Sequence, residues 1–102
     1  MGVMLHEDQM GKFVFSLNVV NCPINATTVQ NFNVVNLKKD DVVILSAPTL
    51  PAGLGIVNAY CLNSEVLTIR FANVTASPIN PGVIPFAAFV FRAERILTAQ
   101  VY

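Results

Sequence analysis

The sequence is short of the side chains that carry chemistry. It has no tryptophan, one histidine and two cysteines, and only 12% of its 102 residues are charged, about half of the roughly 25% found in soluble domains. Nucleophilic catalysis needs a base beside the nucleophile, yet the single histidine, His6, lies in an N-terminal stretch without periodicity. We therefore predict that the chain is not an enzyme and has no catalytic residues.

Metal and cofactor sites are not predicted either. Cys22 and Cys61 are too far apart for a zinc or redox motif, and His6 supplies no second ligand set. The favoured interpretation is two buried free thiols, with a disulfide between them in an oxidising compartment as the alternative. Gly53 and Gly55 precede a strand pattern rather than a helix, so no phosphate-binding loop is expected.

Charge distribution limits the possible partners. The only adjacent basic pair, Lys38 and Lys39, is followed at once by Asp40 and Asp41, whereas nucleic acid binding requires clustered positive charge. The uncharged segment 42–64 contains prolines and glycines that a lipid-embedded helix would not tolerate without other helices around it. We predict neither a nucleic acid nor a membrane partner, and the charged residues from position 6 to position 8 argue against a secretory signal.

Hydrophobic content points to association with other protein surfaces. Hydrophobic residues make up 54% of the chain and the formal net charge is zero, so an isolated monomer has little electrostatic protection against association. We predict a homo-oligomer or a permanently docked subunit. The alternative is a neutral surface rich in Asn, Thr and Ser.

Strand periodicity begins after residue 12. Residues 1–12 read as an N-terminal arm and residues 13–102 as one domain, because Phe13, Leu17 and their neighbours alternate apolar and polar side chains. The remaining predicted features are a strand at 27–37, a charged turn at 38–41, a strand buried on both faces at 42–45, a hairpin joining 56–62 to 65–74 across Asn63–Ser64, a loop at 75–85, a core strand at 86–92 containing Phe89 and Phe91, and an extra strand at 96–101.

These short strands with proline-rich connections predict an all-β fold, an antiparallel β-sandwich with a jelly-roll-like arrangement.

Several motifs between Val35 and Arg92 also resemble a known class of proteins. The motifs are Asp41-Val42-Val43, Ala47-Pro48, Leu50-Pro51-Ala52-Gly53-Leu54, Ala59-Tyr60, Leu67-Thr68-Ile69-Arg70-Phe71-Ala72-Asn73-Val74-Thr75 and Pro81.

In these motifs the chain resembles the small β-sandwich head decoration proteins, or cement proteins, of tailed bacteriophages. It departs from them at Lys39-Asp40, where Gly-Asp is common, and in a longer tail after Arg92. The resemblance implies a structural virion subunit, commonly a homotrimer, made in the bacterial cytoplasm. Such a subunit binds the major capsid protein on the outside of the assembled capsid and bridges neighbouring capsomers.

Site residues follow from this interpretation. Pro51 and Gly53 are expected to fix a turn between strands, and the Asn73 amide to cap the end of its strand. Four residues of the arm are the candidate capsid contacts, because apolar side chains in an unpaired segment are expected to bind a groove on a partner. These four residues are Val3, Met4, Leu5 and His6.

A tail or fibre module that recognises a host ligand such as a glycan is the alternative function. Sugar binding commonly uses exposed aromatic rings, and the chain offers only Tyr60 and Tyr102 besides its phenylalanines. Two segments, 25–27 and 73–75, fit the N-glycosylation pattern, which matters only in a secreted eukaryotic protein.

Overall fold

A computed structural model describes residues 10–92, which form six β-strands and no helix. The strands are β1 (Met10–Val19), β2 (Ala26–Asn33), β3 (Val42–Ser46), β4 (Leu54–Asn63), β5 (Val66–Asn73) and β6 (Gly82–Phe91). Over this range no helix is long and apolar enough to span a membrane. The extra strand predicted at 96–101 lies outside the described residues.

The six strands form two three-stranded antiparallel sheets. Their strand orders are β1-β6-β3 and β2-β5-β4. The buried side chains of both sheets belong to one hydrophobic cluster, whose largest fully buried members include Phe71 of β5 and Phe86 of β6. The all-β, antiparallel class predicted from the periodicity is therefore confirmed.

Strand β1 shows the predicted alternation but begins earlier. Phe13, Leu17 and the other odd-numbered residues from 13 to 19 face the core, while the even-numbered residues from 12 to 18 are exposed. The register with β6 already starts at Met10, which pairs with Phe91. Residues 10–12, assigned to the arm on the basis of sequence, are thus part of the strand, because β6 is long enough to pair with them. The rest of the predicted arm, residues 1–9, lies outside the described residues.

Two strands bury less than predicted. Val42 and Ile44 of β3 are 58% and 56% exposed, so the prediction of a strand buried on both faces is wrong. The reason is that only the opposite face of this sheet, toward which Val43 points, is covered by the core within residues 10–92. Phe89 of β6 was predicted to lie in the core, but it is 40% exposed, since its neighbours Ala88 and Val90 take the inward positions.

The loop predicted at 75–85 is too long, because β6 begins at Gly82 and pairs Pro85 with Ser16. Strand β3 pairs only with residues 87–91 of β6. Among the described residues, the first half of β6 therefore has a partner strand on one side only, and a strand side without a partner tolerates a residue that lacks an N–H.

Turn residues set the remaining boundaries. The strand predicted at 27–37 ends at Asn33, and Asn36 follows with a φ of 74°. The predicted hairpin between β4 and β5 is present, but its turn lies at Ser64 and Glu65 rather than Asn63 and Ser64. Glu65 has a φ of 65°, a left-handed conformation that composition alone does not reveal.

Candidate interaction surface

The turn residues predicted from the sequence occupy one end of the β2-β5-β4 sheet. The Leu54 N–H donates to the Pro51 carbonyl at 3.1 Å and closes the turn. Gly53 has a φ of 86°, and a Cβ at that position would collide with the Thr75 Cγ2. The Val74 N–H donates to the Gly53 carbonyl at 3.0 Å, so the turn is joined to the end of β5.

Asn73 holds three chain segments together at the end of β5. It is 2% exposed, and its Nδ2 donates to the Cys22 carbonyl at 3.0 Å and to the Ser77 carbonyl at 2.9 Å. Its Oδ1 accepts from the Thr75 N–H at 2.9 Å and from the Thr75 hydroxyl at 2.7 Å. With both ends of the amide engaged inside the protein, Asn73 has a structural role and is not placed to accept a glycan.

The most unusual surface is the outer face of the β1-β6-β3 sheet. Even-numbered residues of β1 and β3 point outward there, and odd-numbered residues of β6 lie between them. The exposed apolar side chains on this surface, which we call the apolar face, are Val14 (74% exposed), Val83 (69%), Val42 (58%), Ile44 (56%) and Phe89 (40%).

Lys12 is the only charged residue in the three strands that form the apolar face. The register places Lys12 and Ile44 on either side of Phe89. An open depression of about 370 Å³ lies here, lined mainly by apolar atoms. The Phe89 ring contacts Phe91 edge-on, with centroids 4.8 Å apart. This face offers an apolar binding surface with one positive charge at its side.

The outer face of the β2-β5-β4 sheet has a different character. One row across it consists of Asn31, Thr68 and Tyr60, and the Thr68 hydroxyl donates to the Asn31 Oδ1 at 2.7 Å. Arg70 occupies the next row, between Val29 and Asn58. The strands of this sheet also carry exposed apolar side chains, Val29 (41%), Val57 (56%) and Leu62 (60%), so this face offers polar groups beside apolar ones.

A buried ion pair ties the start of β3 to the end of β6. The Arg92 Nε and Nη2 donate to the two carboxylate oxygens of Asp41 at 2.8 and 2.7 Å, and the Asp41 side chain is 1% exposed. Burial acts to raise the pKa of Asp41, but the hydrogen bonds and charge of Arg92, with the Lys38 backbone N–H, outweigh it and lower that pKa. Asp41 also caps the charged turn predicted at 38–41, because its Oδ2 accepts from the Lys38 N–H at 2.9 Å. Its partner, 51 residues away, was not predicted.

Both cysteines are free and buried. Burial raises the pKa of each thiol, although the Gln30 hydrogen bond opposes this at Cys22. Between residues 10 and 92, no three His, Cys, Asp or Glu side chains are grouped as a metal ion would require.

Comparison with known proteins found no match. No family model, curated protein or solved structure matches the chain.

The candidate capsid contacts Val3, Met4, Leu5 and His6 lie outside the described residues, so their assignment stays a prediction. The apolar face itself was missed by the sequence analysis. Strand β6 has apolar residues at both parities, with Phe86, Ala88 and Val90 alternating with Ala87, Phe89 and Phe91. Alternation therefore could not tell which side faced outward. The signal that was present was the low charge of the three strands.

Proposed function

We propose that this chain is a structural virion protein that binds the outside of an assembled phage capsid as an oligomer and stabilises contacts between capsomers. Its partner would be the major capsid protein, and its location the capsid exterior. The observation that carries the proposal is the apolar face. The resemblance to cement proteins in the motifs from Asp41 to Pro81 supplies the kind of partner.

The chemistry of the apolar face supports docking to a protein surface. Contiguous exposed apolar patches above a few hundred Å² are uncommon on monomers and often mark interaction sites. Lys12 carries the only charge of the three strands, so burial of the face would sacrifice little hydration of charge. A cement subunit needs a surface of this kind, because its role is to stay docked on the protein surface of a preformed shell.

We also infer that the two sheets stack as a β-sandwich. Both sheets contribute to one core, and the Asn73 amide of β5 bonds the Cys22 carbonyl, in the connection after β1. A jelly roll has eight strands, and residues 10–92 supply six, so that part of the prediction stays a prediction. The homotrimer implied by the resemblance is likewise an expectation.

Binding to empty phage shells tests the proposal. The informative variant is Ile44→Lys, which adds a charge to the apolar face, with Val57→Lys of the other sheet as a matched control. Both positions are 56% exposed in the wild type. We expect Ile44→Lys to weaken shell binding by about tenfold or more because a buried charge would need a partner, and Val57→Lys to bind as wild type. Equal binding by the two variants, or none by the wild type, would contradict the proposal.

The arm requires its own experiment. Because Met10 to Lys12 belong to β1, a deletion that tests the arm must stop at residue 9. We expect loss of residues 1–9 to weaken shell binding while the far-ultraviolet circular dichroism spectrum keeps its β-sheet form. Undiminished binding by the shortened chain would remove Val3, Met4, Leu5 and His6 from the capsid contacts.

The outer face of the β2-β5-β4 sheet favours a second candidate function, recognition of a host glycan by a tail or fibre module. Tyr60 offers an aromatic ring, and Asn31 and Arg70 offer hydrogen-bonding groups near it. A glycan array separates the two functions. Specific sugar binding that is lost in Tyr60→Ala would favour recognition, whereas saturable binding to shells alone would favour the cement role.

A further inference from the structure

One side of strand β1 is an edge whose backbone groups could pair with another strand. Within residues 10–92 it pairs with β6 on one side and with no strand on the other. Its ten-residue register with β6 runs without a bulge, and it contains no proline and only one charge, Lys12. Proteins usually protect long edges with charges, prolines, bulges or short length. This edge has little of that protection.

Pro85 reveals which backbone groups of β1 face the open side. Residues opposite each other in an antiparallel pair alternate between exchanging two hydrogen bonds and exchanging none. Pro85 has no N–H to donate, so its pair with Ser16 belongs to the second kind. The N–H and C=O of Ser16 therefore point away from β6, and so do those of Lys12, Val14 and Asn18, which share its parity.

A side chain closes the same edge just beyond the strand. Val20 has the parity of Ser16, and its N–H donates to the Gln30 Oε1 at 3.0 Å while its carbonyl accepts from the Gln30 Nε2 at 3.1 Å. The Gln30 amide thus takes the place of a neighbouring strand at Val20. The open stretch of the edge runs from Lys12 to Asn18.

The core is also incompletely covered along this stretch. Phe13 and Phe15 are only half-buried, whereas Leu17 and Val19, farther along the same inner face, are buried. The Phe15 ring stacks on Phe86 with centroids 6.3 Å apart. An added strand would cover the exposed sides of both phenylalanines. The unpaired backbone groups and the half-buried side chains of β1 therefore both favour the addition of a strand.

We propose that the open edge from Lys12 to Asn18 pairs with the same stretch of a second copy of this chain, antiparallel and about a two-fold axis at Phe15. Lys12 then lies opposite Asn18 of the second copy, and Val14 opposite Ser16. Every open residue finds a partner, and each such pair exchanges two hydrogen bonds. This register is self-complementary and never sets one Lys12 directly against the other.

The resulting dimer would join the two β1-β6-β3 sheets into one six-stranded sheet. Their apolar faces would then be continuous. The proposal does not depend on the cement function, and it differs from the trimer that the resemblance implies, because a two-fold contact closes with two chains.

Sedimentation velocity of the full chain across micromolar concentrations tests the pairing. Ser16→Pro removes an N–H from the open side and leaves the hydrogen bonds to β6 in place, while Ser16→Ala keeps that N–H and serves as the control. We expect dimers for the wild type and Ser16→Ala, and monomers with a wild-type circular dichroism spectrum for Ser16→Pro. A monomeric wild type, or a Ser16→Pro variant that folds and still dimerises, would overturn the proposal.

A second pair of variants tests whether the dimer forms through the β1 edge or through the apolar face. Neither variant introduces a proline. Val14 and Val83 are 74% and 69% exposed on the same face, but only Val14 lies in the edge strand. We expect Val14→Lys to raise the dissociation constant of the dimer by about two- to fivefold, because the two introduced lysines become diagonal neighbours across the paired strands. We expect Val83→Lys to leave it unchanged. Equal weakening by both would place the contact on the face instead.

Amide hydrogen exchange of the wild type gives a readout without any substitution. The N–H groups of Phe13, Phe15 and Leu17 point toward β6 and should exchange slowly at every concentration. Those of Val14 and Ser16 should exchange slowly only when the protein is concentrated enough to dimerise. Fast exchange of Val14 and Ser16 in a dimeric sample would exclude this register.

Discussion

The ion pair between Asp41 and Arg92 predicts an unequal response to removal of its two partners. The Asp41 side chain is 1% exposed, whereas that of Arg92 is 26% exposed. Arg92→Met would leave a carboxylate in the interior with the Lys38 N–H as its remaining hydrogen-bond donor. Breaking a buried pair in this way costs about 3–5 kcal/mol, and the partial exposure of Arg92 lowers our expectation to about 2–4 kcal/mol.

Asp41→Asn should be milder. The Asn side chain keeps an oxygen that can accept from the Lys38 N–H, and Arg92 can turn to water while it still donates to the Asn36 carbonyl, 3.0 Å away in the wild type. We expect a loss of about 1–2 kcal/mol, typical of a weakened hydrogen bond to a charged group. The double variant should lose less than the sum of the two single losses, because the residues are in direct contact.

The pH dependence of the unfolding free energy provides an independent check, because the contribution of Asp41 should change with pH in opposite directions in the wild type and in Arg92→Met. In the wild type the pKa of Asp41 is lowered on folding, so the unfolded chain binds the proton more readily and the stability contributed by Asp41 is lost as the pH falls through that pKa. In Arg92→Met, burial dominates and the pKa should rise above its unfolded value. The contribution of Asp41 then increases as the pH falls, because the folded state binds the extra proton.

Urea unfolding at several pH values from about pH 3 to about pH 7 would measure both effects. Far-ultraviolet circular dichroism is the appropriate signal, since the chain has no tryptophan. The reasoning would be refuted if Asp41→Asn destabilised the protein as much as Arg92→Met, or if both proteins showed the same sign of pH dependence for this carboxyl.

Two other predictions concern the end of the β2-β5-β4 sheet. Gly53→Ala should cost about 2–3 kcal/mol in unfolding free energy, because it combines a left-handed φ with a collision against Thr75. Gly55→Ala, whose Cβ would meet no atom within 4 Å, should cost less than about 1 kcal/mol; similar losses at both glycines would argue against the collision. Asn73→Ala should cost about 2–4 kcal/mol, since it removes the hydrogen bonds of a buried amide: the Thr75 N–H loses its acceptor, and the Cys22 and Ser77 carbonyls keep only the Ile79 N–H and the Thr75 hydroxyl as donors. The exposed Asn80→Ala is its control, and equal melting temperatures for the two would show that the Asn73 amide contributes little.

The sequence was sufficient for the fold class because alternation is a local signal. Phe13 to Val19 and Leu67 to Phe71 alternate clearly, and both segments bury the predicted parity. The hairpin between β4 and β5 was found for the same reason, since its turn and both arms are adjacent in the chain. Its exact turn residues depended on the conformation of Glu65, which composition does not specify.

Alternation fails where both parities are apolar. The sequence predicted a strand buried on both faces at 42–45 and a core strand at 86–92, yet each has an exposed face, because residues 10–92 cover only one side of this sheet. Long-range partners were also beyond reach. The contacts of Asp41 with Arg92 and of Gln30 with Val20 depend on strand order, which no local pattern encodes. The candidate interaction surface therefore became visible only in three dimensions.

The strand order has a consequence for synthesis. Strand β1 ends at Val19, and its partner β6 does not begin until Gly82, so β1 leaves the ribosome 62 residues before β6 begins and must wait for the last described strand before it can pair. Sheets that depend on such distant pairing form slowly. During that interval Phe13, Phe15 and Leu17 of a nascent chain lack the strand that pairs with them in the folded protein, and unpaired apolar strands of this kind are prone to aggregate.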